Sequence, residues 1–311
     1  MNKINTFIIP IIKGYHIGKY LETLYKNTPD NFYVYIIDQC VDDEAYVKYH
    51  KYAHFWIKAY RNLGYAKALN TGLRLVQTPY VTFSNDDIEF IDPRWWQGIE
   101  DTFAMDEKIV GVNPMSPREG AFGYGLQAEN TQTWVPPQGF VRDGEFVVPK
   151  LPDGTGMTYN GSFTKEQYDW LLNEHPRWSK NTCCDGICMW CTTLKTDWLK
   201  ENGPMDERFY PGNGEDYDMN GRAYSCAWPV SRETCDPSLH RRLVSTTKSW
   251  VWHWWGESKT HAGKLPNFSR DNWNRLDQLW PEGFDSWGHK NMPDGLKKPY
   301  KRMPDVFIDT V

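Results

Sequence analysis

Tyr80-Val-Thr-Phe-Ser84-Asn85-Asp86-Asp87 is a short run of strand-forming residues that stops on an amide and two carboxylates. Aromatic and β-branched side chains suit a pleated strand, and Asn and Asp suit the turn that ends one. Upstream, Arg61-Asn62-Leu63-Gly64 leads into a helical pattern over Tyr65–Val76, and His54–Tyr60 reads as a strand. Phe32–Ile37 is another strand, ending at Asp38. A helix over Ile17–Tyr25 sets Leu21, Leu24 and Tyr25 on one face, and Thr6–Ile12 is an apolar strand. Downstream, Pro93 opens a helix to about Met105, and Ile109–Val112 is a short strand. Strands alternating with helices at this spacing indicate an α/β fold with a parallel sheet and right-handed crossovers.

Residues 113–182 break the pattern, being rich in Gly, Pro, Asn and Thr. They hold a hairpin signal at Arg142-Asp143-Gly144 and a capping box at Thr164-Lys-Glu-Gln167. This segment reads as an insertion forming one wall of a cleft. Ile187–Thr193 reads as a buried strand. It is followed by a helix from about Lys195, a Gly-rich turn and a helix from Glu215. Beyond residue 229 the chain is Trp-rich, with Trp250, Trp252, Trp254 and Trp255 clustered. Lys297, Lys298, Lys301 and Arg302 form a basic group near the end.

The 311 residues suffice for a large core without disulfides, and a net charge of −5 disfavours a globally basic nucleic-acid binder. No stretch approaches the ~18 apolar residues of a membrane span. Met1–Pro10 has a single Lys and reaches Pro-Ile-Ile-Lys too soon for a signal peptide, so a cytoplasmic protein is expected. Seven cysteines then default to free thiols. Cys183, Cys184, Cys188 and Cys191 raise a zinc reading. Residues three apart on a strand face opposite sides, however, and no second ligand pair follows at regular spacing. The 16 tryptophans pack cores, but indole faces also stack on sugars and bases.

Ligands of open parallel sheets bind beyond the strand carboxyl ends. Three such ends carry Asp38, Asn62 with Gly64, and Asn85-Asp86-Asp87. One of these is an ordinary turn; three together form a site. Neither G-x-G-x-x-G nor a P-loop is present. Adjacent carboxylates suit Mg²⁺ or Mn²⁺, which completes its shell from substrate phosphate oxygens and neutralises a departing diphosphate.

These features resemble the GT-A-fold nucleotide-sugar glycosyltransferases, most closely the inverting glycosyltransferase family 2. The resemblance rests on Phe7-Ile-Ile-Pro10, Ile36-Ile-Asp38, Asn62-Leu-Gly64 through Asn70-Thr-Gly72, and Phe83-Ser-Asn85-Asp86-Asp87. It continues in Asp185-Gly186 through Thr193 and in Gly203-Pro-Met-Asp206, which leads to Gly214-Glu215-Asp216-Tyr-Asp218. The fold implied is a GT-A-like, mixed but mostly parallel sheet flanked by helices. The expected division is a catalytic domain over 1–228, with 113–182 as its acceptor-side insertion. Residues 229–311 would form a C-terminal extension that completes the metal site and acceptor cleft.

The resemblance also implies roles. Pro10, Asp38, Asn62, Gly64, Asn85 and Asp86 would line the donor site. Asp38 would meet the nucleobase, and Gly64 would let backbone approach the nucleotide. Asn85 replaces the usual first Asp of the D-x-D motif. Asp87 would bind the metal, Mn²⁺ or Mg²⁺, with His253 as a further ligand; the other reading of His253 is a side chain packed among tryptophans. Asp216 would be the base of a single displacement, and Glu215 would hold acceptor or sugar hydroxyls.

The expected activity is transfer from a nucleotide-sugar donor, a UDP-sugar favoured, to a glycan or lipid-linked glycan. A modified DNA base or a protein side chain is a rival acceptor, and the basic group near residue 300 would suit nucleic acid or a peripheral membrane contact. A glycosidase also needs two carboxylates but leaves the Asn-Asp-Asp strand end unexplained. A non-catalytic carbohydrate-binding protein would account for the tryptophans alone.

Overall fold

The computed structural model describes residues 3–39, 43–115, 183–185, 187, 189–223, 241–254 and 269–279. The hairpin and capping box read within 113–182, Cys188 of the cysteine cluster, Trp255 and the basic group near residue 300 lie outside them.

The first half alternates as the spacing requires. It runs β1 (Asn5–Ile11), α1 (Ile17–Asn27), β2 (Phe32–Gln39), α2 (Asp43–Tyr49), β3 (Phe55–Ala59), α3 (Tyr65–Leu73) and β4 (Tyr80–Ser84). Then come β5 (Ile88–Glu89), α4 (Trp95–Phe103) and β6 (Ile109–Met115). The second half supplies β7 (Cys183–Asp185), β8 (Cys191–Lys195), α5 (Thr196–Asn202), α6 (Glu215–Ala223), β9 (Arg242–Trp250), β10 (Trp252–His253) and α7 (Ser269–Leu279).

Among the described residues, eight strands form one sheet in the order β3-β2-β1-β4-β8-β6-β9-β7, and β10 pairs with β5 in a two-stranded ribbon. β1, β2, β3 and β4 are mutually parallel, as are β6 and β9, while β8 and β7 run against their neighbours. The sheet is thus mixed and mostly parallel, as expected. β9 comes from the segment read as a C-terminal extension, yet it lies inside this sheet.

Successive side chains of a strand point to opposite faces, and β1 shows the consequence. Ile8 enters a core shared with Ala66 and Leu69 of α3, Trp198 of α5 and Met219 of α6. Phe7, Ile9 and Ile11 enter the opposite core, with Leu21 of α1 and Trp95 of α4. Gly72 brings α3 close to the sheet, since a Cβ there would lie 2.7 Å from Ile8.

The β1–β4 ladder stops at Ile8–Phe83, whereas β1 stays paired with β2 as far as Ile11–Asp38. Strand order reverses between β1 and β4, so a crevice opens at their carboxyl ends. Pro10, which has no N–H to donate, falls past the end of the β1–β4 ladder.

One expectation needs correction. Ile187–Thr193 is not one strand: Met189 and Trp190 form a turn, and the strand begins at Cys191. The opposite-faces argument against zinc therefore fails for this segment, although Cys191 itself is a free, buried thiol. The tryptophans pack as expected for a core: Trp95, Trp96, Trp190, Trp198, Trp250 and Trp252 are all buried.

Candidate active site

β4 delivers Asn85, Asp86 and Asp87 to the crevice. The Asn85 N–H donates to the Trp190 carbonyl at 2.8 Å, which ties the strand end to the turn before β8. β5 and β10 pair Ile88 with His253, so the histidine comes back over the acidic turn. His253 Nε2 lies 3.3 Å from Asp87 Oδ1 and 3.4 Å from Asn85 Nδ2. Asp87 and His253 are both buried.

Trp254 fixes this return. Its N–H donates to the Asp87 carbonyl at 3.0 Å, and its indole N–H donates to Glu89 Oε1 at 2.9 Å. His16, at the start of α1, stacks on the same indole with centroids 5.9 Å apart.

The two aspartates differ in electrostatics. Burial, then the neighbouring Asp87 charge, pushes the Asp86 carboxyl up to about 7. Burial works the same way on Asp87, but the imidazole of His253 outweighs it and holds that carboxyl below its ordinary value. Asp87 is the carboxylate kept ionised. One carboxylate oxygen and one imidazole nitrogen facing each other across 3.3 Å form a donor set suited to Mn²⁺ or Mg²⁺ with substrate oxygens completing the shell. Among the described residues no group of three or more His, Cys, Asp or Glu forms a cage, so such an ion would depend on substrate for the rest of its coordination.

The donor-side residues separate into two groups. Asp38, at the end of β2, is fully buried and accepts the Trp56 indole N–H at 3.0 Å. Gln39 accepts the Leu63 N–H through Oε1, and Asn62 Oδ1 accepts the Gly64 N–H, each at 2.8 Å. Asn62 therefore shapes the turn into α3. Gly64 has φ +80°, and a Cβ there would meet Tyr210 at 2.8 Å. The close approach that requires glycine is made by Tyr210 and Pro211 of this chain.

The carboxylates at the start of α6 follow a left-handed pair, Asn213 (φ 79°) and Gly214 (φ 101°). Glu215 is buried, and its Oε2 has no hydrogen-bond partner. Burial and the adjacent Asp216 push its carboxyl up to about 8. Asp216 is half-buried and Asp218 is consumed by an ion pair with Arg222.

Several contacts join this helix to the crevice. Tyr65 N–H donates to Pro211 O at 2.7 Å, and Tyr65 Oη donates to Met189 O at 2.5 Å. Asn220 grips Ile187 through both backbone groups, at 3.1 and 2.9 Å. Asn70 does the same to Met205, at 3.0 and 2.8 Å. Sequence reasoning singled out neither Asn220 nor Trp190. Asn70 was visible only as a fixed point in the Asn62–Gly72 motif.

Residues 7–158 match the family described as glycosyl transferase family 2. That stretch includes Asp38, Gly64 and Asp87 and ends before Glu215, Asp216 and His253. No curated protein matches the sequence. Among solved structures, GalNAc-T7 with UDP, GalNAc and Mn²⁺ is 13% identical, with 91% of this chain and 49% of that one covered and a TM-score of 0.56. A mannosyltransferase from Pyrobaculum calidifontis in complex with GDP-Man and Mn²⁺ is 14% identical, covering 72% and 53%, with a TM-score of 0.46. S. aureus TarS 1–349 in complex with UDP is 14% identical, covering 88% and 72%, with a TM-score of 0.47. The chain spans about half the length of the first two of these structures. Among the described residues no helix is long and apolar enough to cross a membrane. The family match over residues 7–158 takes in just under half of the chain, and the sheet order with the likeness to GalNAc-T7 gives it a GT-A-like fold.

Proposed function

We propose that the chain is a metal-dependent, inverting glycosyltransferase that uses a nucleoside-diphosphate sugar, a UDP-sugar favoured, as donor. The observation that carries this reading is the Asp87–His253 pair, 3.3 Å apart at the carboxyl end of β4. GalNAc-T7, which shares the fold, was solved with UDP and Mn²⁺, in keeping with that donor class and ion.

In this reading Asp87 and His253 hold Mn²⁺ or Mg²⁺, and Pro10, Asp38, Asn62, Gly64, Asn85 and Asp86 line the donor site. When bound, the cation offsets negative charge on the departing diphosphate. Asp216 takes the proton of an acceptor hydroxyl as that oxygen bonds to the anomeric carbon. The bond from that carbon to the diphosphate oxygen breaks, and its electron pair leaves with the nucleotide. One displacement inverts the anomeric centre. Glu215, protonated in its buried site, is placed to donate a hydrogen bond to a sugar or acceptor hydroxyl. The acceptor favoured is a glycan or lipid-linked glycan, with peripheral membrane contact in the latter case. Residues 113–182 would supply the acceptor wall, residues 229–311 would complete the site, and the cytoplasm is the proposed compartment.

A panel of nucleotide sugars with Mn²⁺, scored for thermal stabilisation and slow hydrolysis, tests the reading. One UDP-sugar should stabilise the protein in a metal-dependent way. Asp87→Ala should lose that response, His253→Ala should weaken it while the protein stays folded, and Asp216→Asn should keep binding and lose turnover. Metal-independent stabilisation by every donor would overturn the metal site.

A further inference from the structure

The turn that launches α6 is held from outside. α7 lies over it, and three of its residues reach residues 208–214. Asn272 Nδ2 donates to Gly212 O at 2.8 Å and to Asn213 O at 2.9 Å, with Tyr210 O at 3.5 Å. Arg275 donates to Arg208 O and sits over the Phe209 ring, 5.9 Å from its centroid. Leu276 is buried against Gly214: a Cβ on that glycine would lie 3.3 Å from it.

Asn272 itself is 2% exposed, so its amide is committed to this turn. The two carbonyls it collects belong to the residues immediately before the left-handed Gly214. Asn213 holds a positive φ, which asparagine tolerates better than most other side chains. Glu215 and Asp216 follow directly, so the angle of this turn sets where their carboxylates point. At the other end of the same loop, Asn70 fixes Met205.

We infer that Asn272 is a positioning residue: through the Gly212 and Asn213 carbonyls it aims the first turn of α6 and so places Asp216. This rests on the proposed role of Asp216 as base and deepens it. Asn272 itself touches no substrate in this assignment.

Asn272→Asp is the informative change, because it keeps the shape, removes both N–H donors and sets oxygen against two carbonyls. Hydrolysis of UDP-glucose, UDP-N-acetylglucosamine, UDP-N-acetylgalactosamine and GDP-mannose with Mn²⁺, water serving as acceptor, supplies the assay. With the best of these donors, kcat should fall about tenfold to a hundredfold, the cost of misplacing a catalytic group. Donor KM and UDP affinity should stay within about twofold, a split that a general loss of structure would not give.

Wild-type kcat in Asn272→Asp, beside an inactive Asp216→Asn, overturns the positioning role alone. Wild-type kcat in Asp216→Asn overturns the base and the inference with it, as does a wild type that hydrolyses none of the donors. If Asn272→Asp loses UDP binding, Asn272→Ser is read instead, and equal losses in kcat and UDP affinity there count against positioning.

Discussion

Trp190 lies flat against His253, with ring centroids 4.9 Å apart and planes 17° from parallel. Its carbonyl also accepts the Asn85 N–H. One residue thus touches both halves of the proposed metal site, the acidic strand end and the returning histidine. The stack fixes the plane of the imidazole, so that Nε2 faces Asp87.

Removing the stack should therefore cost metal affinity. An aromatic pair contributes about 0.5–1.5 kcal/mol beyond simple burial, so Trp190→Ala should weaken Mn²⁺ binding by up to about tenfold. Trp190→Phe should retain most of it. Mn²⁺ titration followed by electron paramagnetic resonance reads this without turnover. A folded Trp190→Ala protein with wild-type affinity would show that His253 is oriented by other contacts.

Asp218 and Arg222 make a buried ion pair on α6, and Arg222 also donates to the Pro204 carbonyl at 2.6 Å. Removing one partner leaves an uncompensated charge in a dry site. Arg222→Ala should lose about 3–5 kcal/mol in urea unfolding, and an apolar double replacement, Asp218→Leu with Arg222→Met, should recover much of it. A double variant no better than the single one would locate the cost in the Pro204 contact.

Local pattern made the first half of the fold legible. The alternation from Thr6 to Val112 marks these strands and helices except α2 and β5, which it misses, and Asn85-Asp86-Asp87 marked the crevice because acidic residues at a strand end have a distinctive short-range signal. Asp38 was found by the same rule, yet its carboxylate is bound by Trp56, a partner on the neighbouring strand that no spacing rule foretells. Gly64 was noticed for the right residue type, but the group pressing on it, Tyr210, is far away in sequence. Trp190 and Asn272 carry no motif; their roles exist only once distant segments meet. Ile187–Thr193 was misread because a run of apolar residues fits a buried turn as well as a strand.

Cys191 offers a chemical check on that correction. Burial pushes its thiol up to about 12, even against a hydrogen bond with Ser84. The nucleophile is the thiolate, so this cysteine should resist iodoacetamide at pH 8 in the folded protein and react once unfolded. Peptide mapping by mass spectrometry distinguishes it from the other six. Rapid labelling of Cys191 in the native state would place it outside the core.

Glu215 makes stability depend on pH. Burial, then the Asp216 charge, raises its carboxyl from an ordinary 4.5 to about 8 in the folded chain. Between those values the folded protein holds a proton that the unfolded chain has released. Stability must then fall as pH rises through that window, and be unaffected by this group below it. Glu215→Gln cannot ionise, so it should match the wild type near pH 4.5 and exceed it increasingly towards pH 8. Asp216→Asn removes the neighbouring charge, so it should lower the Glu215 value and shrink the difference. Urea unfolding of all three proteins at the two ends of the window gives the comparison. A gap between wild type and Glu215→Gln that does not change with pH would mean that Glu215 titrates alike in both states. It would then be ionised at neutral pH and accept rather than donate at the acceptor hydroxyl.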